Sequence, residues 1–431
     1  MAAYPALIIL AGGASSRMWP VREKLLLRFG AESLLVSQLR RFSALGFREI
    51  VIVANPDNAG AIAEQAGRLS DAAVQIAIQP TPRGMGDALL AAAEVMSGTD
   101  RPVYVTQVHD LVDDALHLAI VRAFAADASA TYLAGCELEE YFPGGYLIVD
   151  DEGRVNGMVE KPGPENRPSK LVNIVAHLHS DFGRLLDAIR AEYASAAPGD
   201  DHYERAMDRL MKAQVYRVVP YRGPWHAIKY PWHVLDVMNH ILSGLKGQHV
   251  AESAFIAPTA SLIGDVYIGE GAKLFPGAAV VGPAHIGAGT IVGNNALVRA
   301  SMVLDRCEVG FTSEVARSYV ADGCSMHACR VLDSVFMPGV NFSAGCTTAN
   351  LRIDRGIVSS TIKGQKIASG RDKLGAIIGQ DAFLSVDVMT MPGVKIGERA
   401  QIGPGTHVHH DVRDGARLYV KQEQIVVEDE A

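Results

Sequence analysis

From residue 250 onward an aliphatic side chain returns every six positions: Val250, Ile256, Leu262, Ile268, Leu274, Val280, Ile286, Val292, Val298 and Leu304. A second run holds Ile378, Leu384, Thr390, Ile396, Ile402 and Val408, broken only by Thr390. This period is that of a parallel β-helix. Each six-residue segment forms one short face of a triangular coil. Its aliphatic residue points into the narrow core, and Gly, Ala or Ser fits the corner, as in "IGEGAK" and "IGAGTI". The stretch between the runs, about 310–377, reads as irregular, with loops that project from the coil.

The first half follows another period. "ALIILAG", "EIVIVAN", "AVQIAIQ" and "PVYVTQVHD" read as buried strands, separated by helical stretches at 32–46, 58–68 and 85–96. Alternating strands and helices predict a parallel sheet covered on both faces, with ligands at the carboxyl ends of its strands. Beyond residue 130 the pattern is mixed. A hairpin over 144–162 turns on Asp151–Glu152–Gly153, and helices near 181–194, 201–212 and 230–242 follow. Two domains result, 1–245 and 246–431.

Forty basic and 48 acidic residues give a net charge of −8 without any block of one sign. Neither a nucleic-acid groove nor a membrane-binding patch is expected, and anionic substrates would need locally placed cations. No stretch has membrane-spanning length. The five cysteines, Cys136, Cys307, Cys324, Cys329 and Cys346, are odd in number and form no CxxC, which fits a reduced cytoplasmic setting.

The chemistry is concentrated in "LIILAGGASSRMWPVREK", residues 7–24. A loop between strand and helix exposes backbone N–H groups, and Gly12 and Gly13 let a ligand approach closely. Such N–H groups cradle phosphate oxygens. Arg17 can pair with phosphates bidentately, and Lys24 adds a compact charge.

With Leu10, Ala11, Gly12, Gly13, Arg17, Pro20 and Lys24 in place, the stretch resembles the LAGGxGTRLxPxxxxxPK motif of the sugar nucleotidyltransferases. Ser15 and Met18 depart from it. The resemblance continues in order and implies a Rossmann-like α/β nucleotidyltransferase domain followed by a left-handed β-helix. "QPTPRGMGDALLAA" resembles the segment in which Gln79 and the Gly84 backbone would read the base; Ala11, Gly12 and Gly13 complete the nucleotide-binding residues. "QVHD" ends where the family places a metal-binding aspartate, here Asp110. "GGYLIVDDEGRVNGMVEKP" resembles the sugar-side motif. Gly145 would lie near the sugar, Glu160 would accept from sugar hydroxyls, and Lys161 would hold the sugar phosphate. Asn173 matches a sugar-contacting asparagine, although Val175 and His177 replace the family's glycine and tyrosine. The family's W-x-D supplies a second metal ligand, whereas this chain has Trp225, His226 and Ala227.

The implied reaction is attack of a sugar-1-phosphate oxygen on the α-phosphate of an NTP, with UTP, dTTP and GTP all open. The nucleophile is already anionic, so positioning and charge neutralisation supply the catalysis. Arg17 would neutralise the leaving pyrophosphate, Lys24 and Lys161 would orient phosphates, and Mg²⁺ would bridge them.

In the tail, "VLDSVFMPGVNFSAGCTTANLRID", "SGRDKLGAIIG" and "MPGVKIGERAQIGPGTHVHHDV" resemble the acetyltransferase half of archaeal-type bifunctional enzymes. His327 falls at the family's general base and Asn350 at its substrate-binding asparagine, with acetyl-CoA as acyl donor. The family's lysines after that asparagine are missing: Arg352 and Arg355 stand there, and Arg330 replaces a tyrosine. The chain is therefore expected to be a sugar-1-phosphate nucleotidyltransferase whose β-helix either acetylates or only assembles it; the alternatives are a bifunctional N-acetylglucosamine-1-phosphate uridylyltransferase with acetyl-CoA-dependent glucosamine-1-phosphate acetyltransferase, and a non-catalytic regulatory or assembly subunit. The β-helix implies a homotrimer. His407, His409 and His410 read as a solvated edge of the coil.

Overall fold

The computed structural model describes residues 4–13, 15–67, 72–195 and 199–427. The chain forms two compact units. One comprises Met1–Ala14, Leu25–Leu27 and Glu32–Ala227; the other comprises Ser15–Lys24, Arg28–Ala31 and Ile228–Ala431.

In the first unit the expected alternation is realised. Strands β1 (Ala6–Leu10), β2 (Glu49–Ala54), β3 (Ala73–Ile78) and β4 (Val103–Gln107) pair in parallel in the order β4-β1-β2-β3. Helices α1 (Leu34–Ala44), α2 (Ala59–Ala66) and α3 (Met85–Val95) connect them. Helix α1 begins where the Ser33 hydroxyl accepts the Val36 N–H at 3.3 Å, and the chain leaves it through Gly46 at φ +105°, a conformation that suits glycine. β1 is wholly buried because both faces are covered, which explains its unbroken apolar run.

The sheet is mixed, where the alternation predicts a parallel one. After β5 (Asp110–Leu111) and α4 (Asp114–Ala126) come β6 (Thr131–Glu137), the hairpin β7 (Gly145–Val149) and β8 (Val155–Glu160), and β9 (Leu171–His179). β9 lies between β4 and β6, antiparallel to both. The chain reaches β9 from a hairpin, and an antiparallel neighbour needs no helical crossover. Helices α5 (Phe182–Ser195) and α6 (His202–Met211) pack their apolar faces with α3 into one core, holding Leu89, Ala92, Leu185, Ile189 and Met207. β10 (Tyr216–Tyr221) extends the edge beside β6, and the short β11 (His226–Ala227) pairs with β5.

The second unit opens its C-terminal part with α7 (His233–Ser243) and continues as a left-handed β-helix of three stacked parallel sheets. One buried side chain per strand fills the core: Ile268, Ile286, Val303, Val320 and Phe336 on one face, and Leu274, Val292, Val309, Met326 and Phe342 on the next. The six-residue spacing holds through Val298. The next inward residue is then Val303, which pairs with Ile286, and not the expected Leu304.

The stretch 310–348 is regular coil rather than irregular chain. Core partners are eighteen residues apart at Val280↔Val298, seventeen at Val298↔Val315 and sixteen at Val315↔Val331. Shortened corners hide the period from a fixed-spacing search. At one corner stack a buried serine replaces the missing backbone partner. The Ser301 hydroxyl accepts the Ser318 N–H at 3.0 Å, and the Ser318 hydroxyl accepts the Ser334 N–H at 3.0 Å. Ala300, Arg317 and Asp333 turn these corners at φ +46°, +50° and +46°. Among the described residues only one long excursion leaves the coil, between Thr348 and its stacking partner Thr390, and it carries the hairpin Ser359–Ile362/Gln365–Ala368.

Candidate functional site

The parallel strands of the first unit end together, so the segments that follow β1, β2 and β3 share one edge. Ala11 continues β1 by donating to the Val53 carbonyl at 2.8 Å. Two asparagines after β2 hold the glycine loop: Asn58 Nδ2 donates to the Ala11 carbonyl at 3.0 Å and Asn55 Nδ2 to the Gly12 carbonyl at 3.1 Å. A Cβ on Gly12 would stand 2.8 Å from Gln79 Oε1, so only glycine lets Gln79 come this close. Gln79 is 3% exposed, and its Nε2 donates to the Gly84 carbonyl and to Asp87 Oδ2, both at 3.0 Å. Gly84 sits at φ +101° at the start of α3, where a Cβ would lie 2.5 Å from the Asp200 carbonyl. Gly12, Gln79 and Gly84 therefore meet. Asn55, Asn58 and Asp87 were not among the expected residues. "ANPDN", directly after a buried strand, was the available signal for the first two.

Asp110 stands where the sequence places it, just past the end of β4, and is 8% exposed. Trp225 Nε1 donates to Asp110 Oδ1 at 3.3 Å. The β5–β11 register sets Ala227 directly opposite Asp110. The missing carboxylate of the W-x-D motif would thus have faced Asp110 across this two-strand ladder. Among the described residues no three His, Cys, Asp or Glu side chains are arranged to hold a metal ion.

On the hairpin, Gly145 is the register partner of Glu160, and a Cβ on Gly145 would reach within 3.1 Å of Glu160 Oε2. Lys161 adopts φ +45°, a strained conformation for a non-glycine residue, and its Nζ lies 3.4 Å from Glu160 Oε1. Asn173 Oδ1 is 2.9 Å from His177 Nε2, His177 Nδ1 is 2.7 Å from the Tyr203 hydroxyl, and that hydroxyl is 2.8 Å from His179 Nε2. Burial pushes His177 down to about 3 and lowers His179 too, so both rings are neutral near pH 7. His177, in place of the family's tyrosine, still reaches Asn173. Nearby on α6, burial raises Glu204 to about 7, with Glu160, Asp201 and Asp200 adding like-charge repulsion. Its buried Oε2 has no hydrogen-bond partner.

Arg17 and Lys24 belong to the second unit. Arg17 is exposed inside a turn closed by the Met18 N–H on the Ser15 carbonyl at 2.8 Å. Lys24 Nζ donates to the Ile228 carbonyl at 3.2 Å. On the β-helix, His327 is exposed beyond its inward neighbour Met326, with its ring over Gly310: a Cβ there would lie 3.1 Å from His327 Nδ1. Asn350 Nδ2 donates to Asp333, whose carboxylate is also gripped by Arg317 through two bonds of 2.6 Å. Arg352 pairs with Asp354. His407, His409 and His410 are exposed on the coil edge.

Residues 6–212 match the nucleotidyl transferase family. A bifunctional sugar-1-phosphate nucleotidylyltransferase/acetyltransferase of Sulfurisphaera tokodaii is 29% identical over 414 residues, covering 94% of this chain and 98% of that protein. A bifunctional protein GlmU of Methanococcus maripaludis is 31% identical over 359 residues, covering 82% of each. Among solved structures, UDP-glucose pyrophosphorylase complexed with UDP-glucose is similar at 16% identity and a TM-score of 0.47, over 56% of this chain and 99% of that one.

Proposed function

The chain belongs to the nucleotidyl transferase family, and from that premise we propose how its residues divide the work of joining an NTP to a sugar-1-phosphate. The observation that carries the reading is the meeting of Gly12, Gln79 and Gly84, with Gln79 touching both glycine segments. Ala11, Gly12 and Gly13 line the nucleotide phosphates. The Gln79–Gly84 pair faces the base, which is that of UTP, dTTP or GTP. Gly145, Glu160 and Asn173 receive the sugar, and Lys161 takes its phosphate. Arg17 neutralises the leaving pyrophosphate and Lys24 orients the reacting phosphates.

Asp110 is the residue that would hold Mg²⁺. Magnesium binds through one or two carboxylates plus substrate phosphates and water, so a single carboxylate opposite an alanine fits it. When bound, it supplies charge neutralisation across the phosphate oxygens.

The β-helix carries the second activity in this proposal, transfer of an acetyl group from acetyl-CoA to an amino-sugar phosphate. The named activity of the Sulfurisphaera protein, matched over nearly its whole length, favours this over a purely assembling tail. His327 is the base that takes the amine proton, and Asn350 contacts the acceptor. A homotrimer in the cytoplasm is the proposed setting. No helix among the described residues is long and apolar enough to cross a membrane.

The test mixes a panel of NTPs and sugar-1-phosphates with Mg²⁺ and follows pyrophosphate, then follows thiol release from acetyl-CoA with glucosamine-1-phosphate. His327→Ala is expected to abolish thiol release and leave pyrophosphate release intact. No turnover with any pair would leave the regulatory-subunit reading, and thiol release without His327 would overturn its role.

A further inference from the structure

The segment Ser15–Lys24 carries the two cations assigned to the phosphates, yet it is part of the β-helix unit. Its backbone folds into two successive turns, Met18 N–H to the Ser15 carbonyl at 2.8 Å and Val21 N–H to the Met18 carbonyl at 2.9 Å. Met18 and Val21 are each 1% exposed, which fixes the turns from below. Arg17 projects from the first turn, and the second is pinned to two late coils of the β-helix. Trp19 Nε1 donates to Asp414 Oδ1 at 2.9 Å. Arg22 Nε donates to Glu398 Oε2 at 2.6 Å and Arg22 Nη2 to Asp414 Oδ2 at 2.8 Å.

Beneath them Lys395 Nζ stands 5.3 Å from the Trp19 ring centroid, within cation–π range. Lys395 is a buried charge, 1% exposed, and its Nζ donates to Asp411 Oδ2 at 2.7 Å. The coil itself holds the anchor rigid, since Asp414 Oδ1 also accepts the Glu398 N–H at 2.9 Å. A lone exposed ion pair contributes about 0–1 kcal/mol to stability. Two carboxylates on one guanidinium, an indole bond and a ring over a buried ammonium specify a conformation instead. Pairing alone does not require a buried lysine under an indole at this place.

We propose that Lys395, Glu398 and Asp414 are positioning residues for nucleotidyl transfer: by holding Trp19 and Arg22 they fix the turn that presents Arg17. The inference rests on the assignment of Arg17 to the leaving pyrophosphate. Displacement of such a group by about 1 Å can cost 10²-fold in rate.

The experiment measures pyrophosphate release by the full chain. Arg22→Glu, which sets like charges against Glu398 and Asp414, is expected to lower kcat about tenfold. The KM for sugar-1-phosphate, the thermal midpoint and the oligomer mass are expected to hold. Adding Glu398→Arg is expected to restore most of the loss by reversing the pair. In an Arg17→Ala background, itself impaired, Arg22→Glu is expected to add no further loss, because it acts through Arg17. Should Arg22→Glu misfold, Trp19→Phe removes the indole N–H and part of the ring over Lys395 while keeping an aromatic side chain, and carries the same expectations at smaller size. Wild-type kcat in a folded Arg22→Glu or Trp19→Phe protein overturns the proposal. So does an undiminished further loss in the Arg17→Ala background, or failure of the reversed pair to rescue. Full activity of Arg17→Ala alone would instead remove the underlying assignment, so the two failures are distinguishable.

Discussion

The two kinds of architecture in this chain bring residues together in different ways. At the edge of the α/β sheet the meetings are long-range: Trp225 and Asp110 share a hydrogen bond although 115 positions apart. In the β-helix a residue's neighbours lie one coil away, as with Val280 and Val298. The sheet edge collects unlike side chains at one place, which suits chemistry. The coil repeats like side chains along an axis, which suits a continuous core. A core substitution in the coil should therefore act on stability, and one at the sheet edge on rate.

The largest expected effect tests the coil. Phe342 is fully buried and stacks edge-on against Phe336 with centroids 5.2 Å apart. Phe342→Ala should cost about 3–5 kcal/mol in denaturant unfolding of the second unit. An unchanged unfolding curve would break the idea of a continuous core.

At the sheet edge the expectation inverts. Asp110→Asn keeps the shape and removes the charge, so kcat for pyrophosphate release should fall about 10²-fold with the thermal midpoint held. Equal loss of stability would mean that Asp110 is a structural residue.

The smallest effect concerns Glu204, whose ordinary value of 4.5 is raised to about 7 in the fold. A raised value means that folding favours the protonated form, so its contribution is fully present below pH 4.5 and lost as pH climbs through 7. Glu204→Gln removes this dependence. The variant's thermal midpoint should gain on the wild type between pH 5 and 8, and a constant gap between the two proteins would sink the assignment.

Much of the edge was legible because its residues stand in a fixed chain order, and β1 to β4 with their helices lie close to where periodicity placed them. What a glutamine would touch was less legible. Gln79 was expected to read a base, and its amide nitrogen is occupied by the Gly84 carbonyl and Asp87. The antiparallel β9 escaped because Asn173, His177 and His179 interrupt its apolar pattern. In the coil, Leu304 lost its place to Val303 since a corner can shed one residue when a serine hydroxyl supplies the hydrogen bond.

By itself the sequence determined the two architectures, since periods of six and of alternating strand and helix each permit one way to bury apolar faces. It also determined the cations and carboxylates available for phosphate chemistry. Only the tertiary structure decided which of them meet. Ala227 became the residue opposite Asp110 through the register of a two-strand ladder, and the segment bearing Arg17 became part of the β-helix unit through Trp19 and Arg22. Both outcomes depend on backbone pairing and side-chain reach across distant positions, which no local pattern encodes.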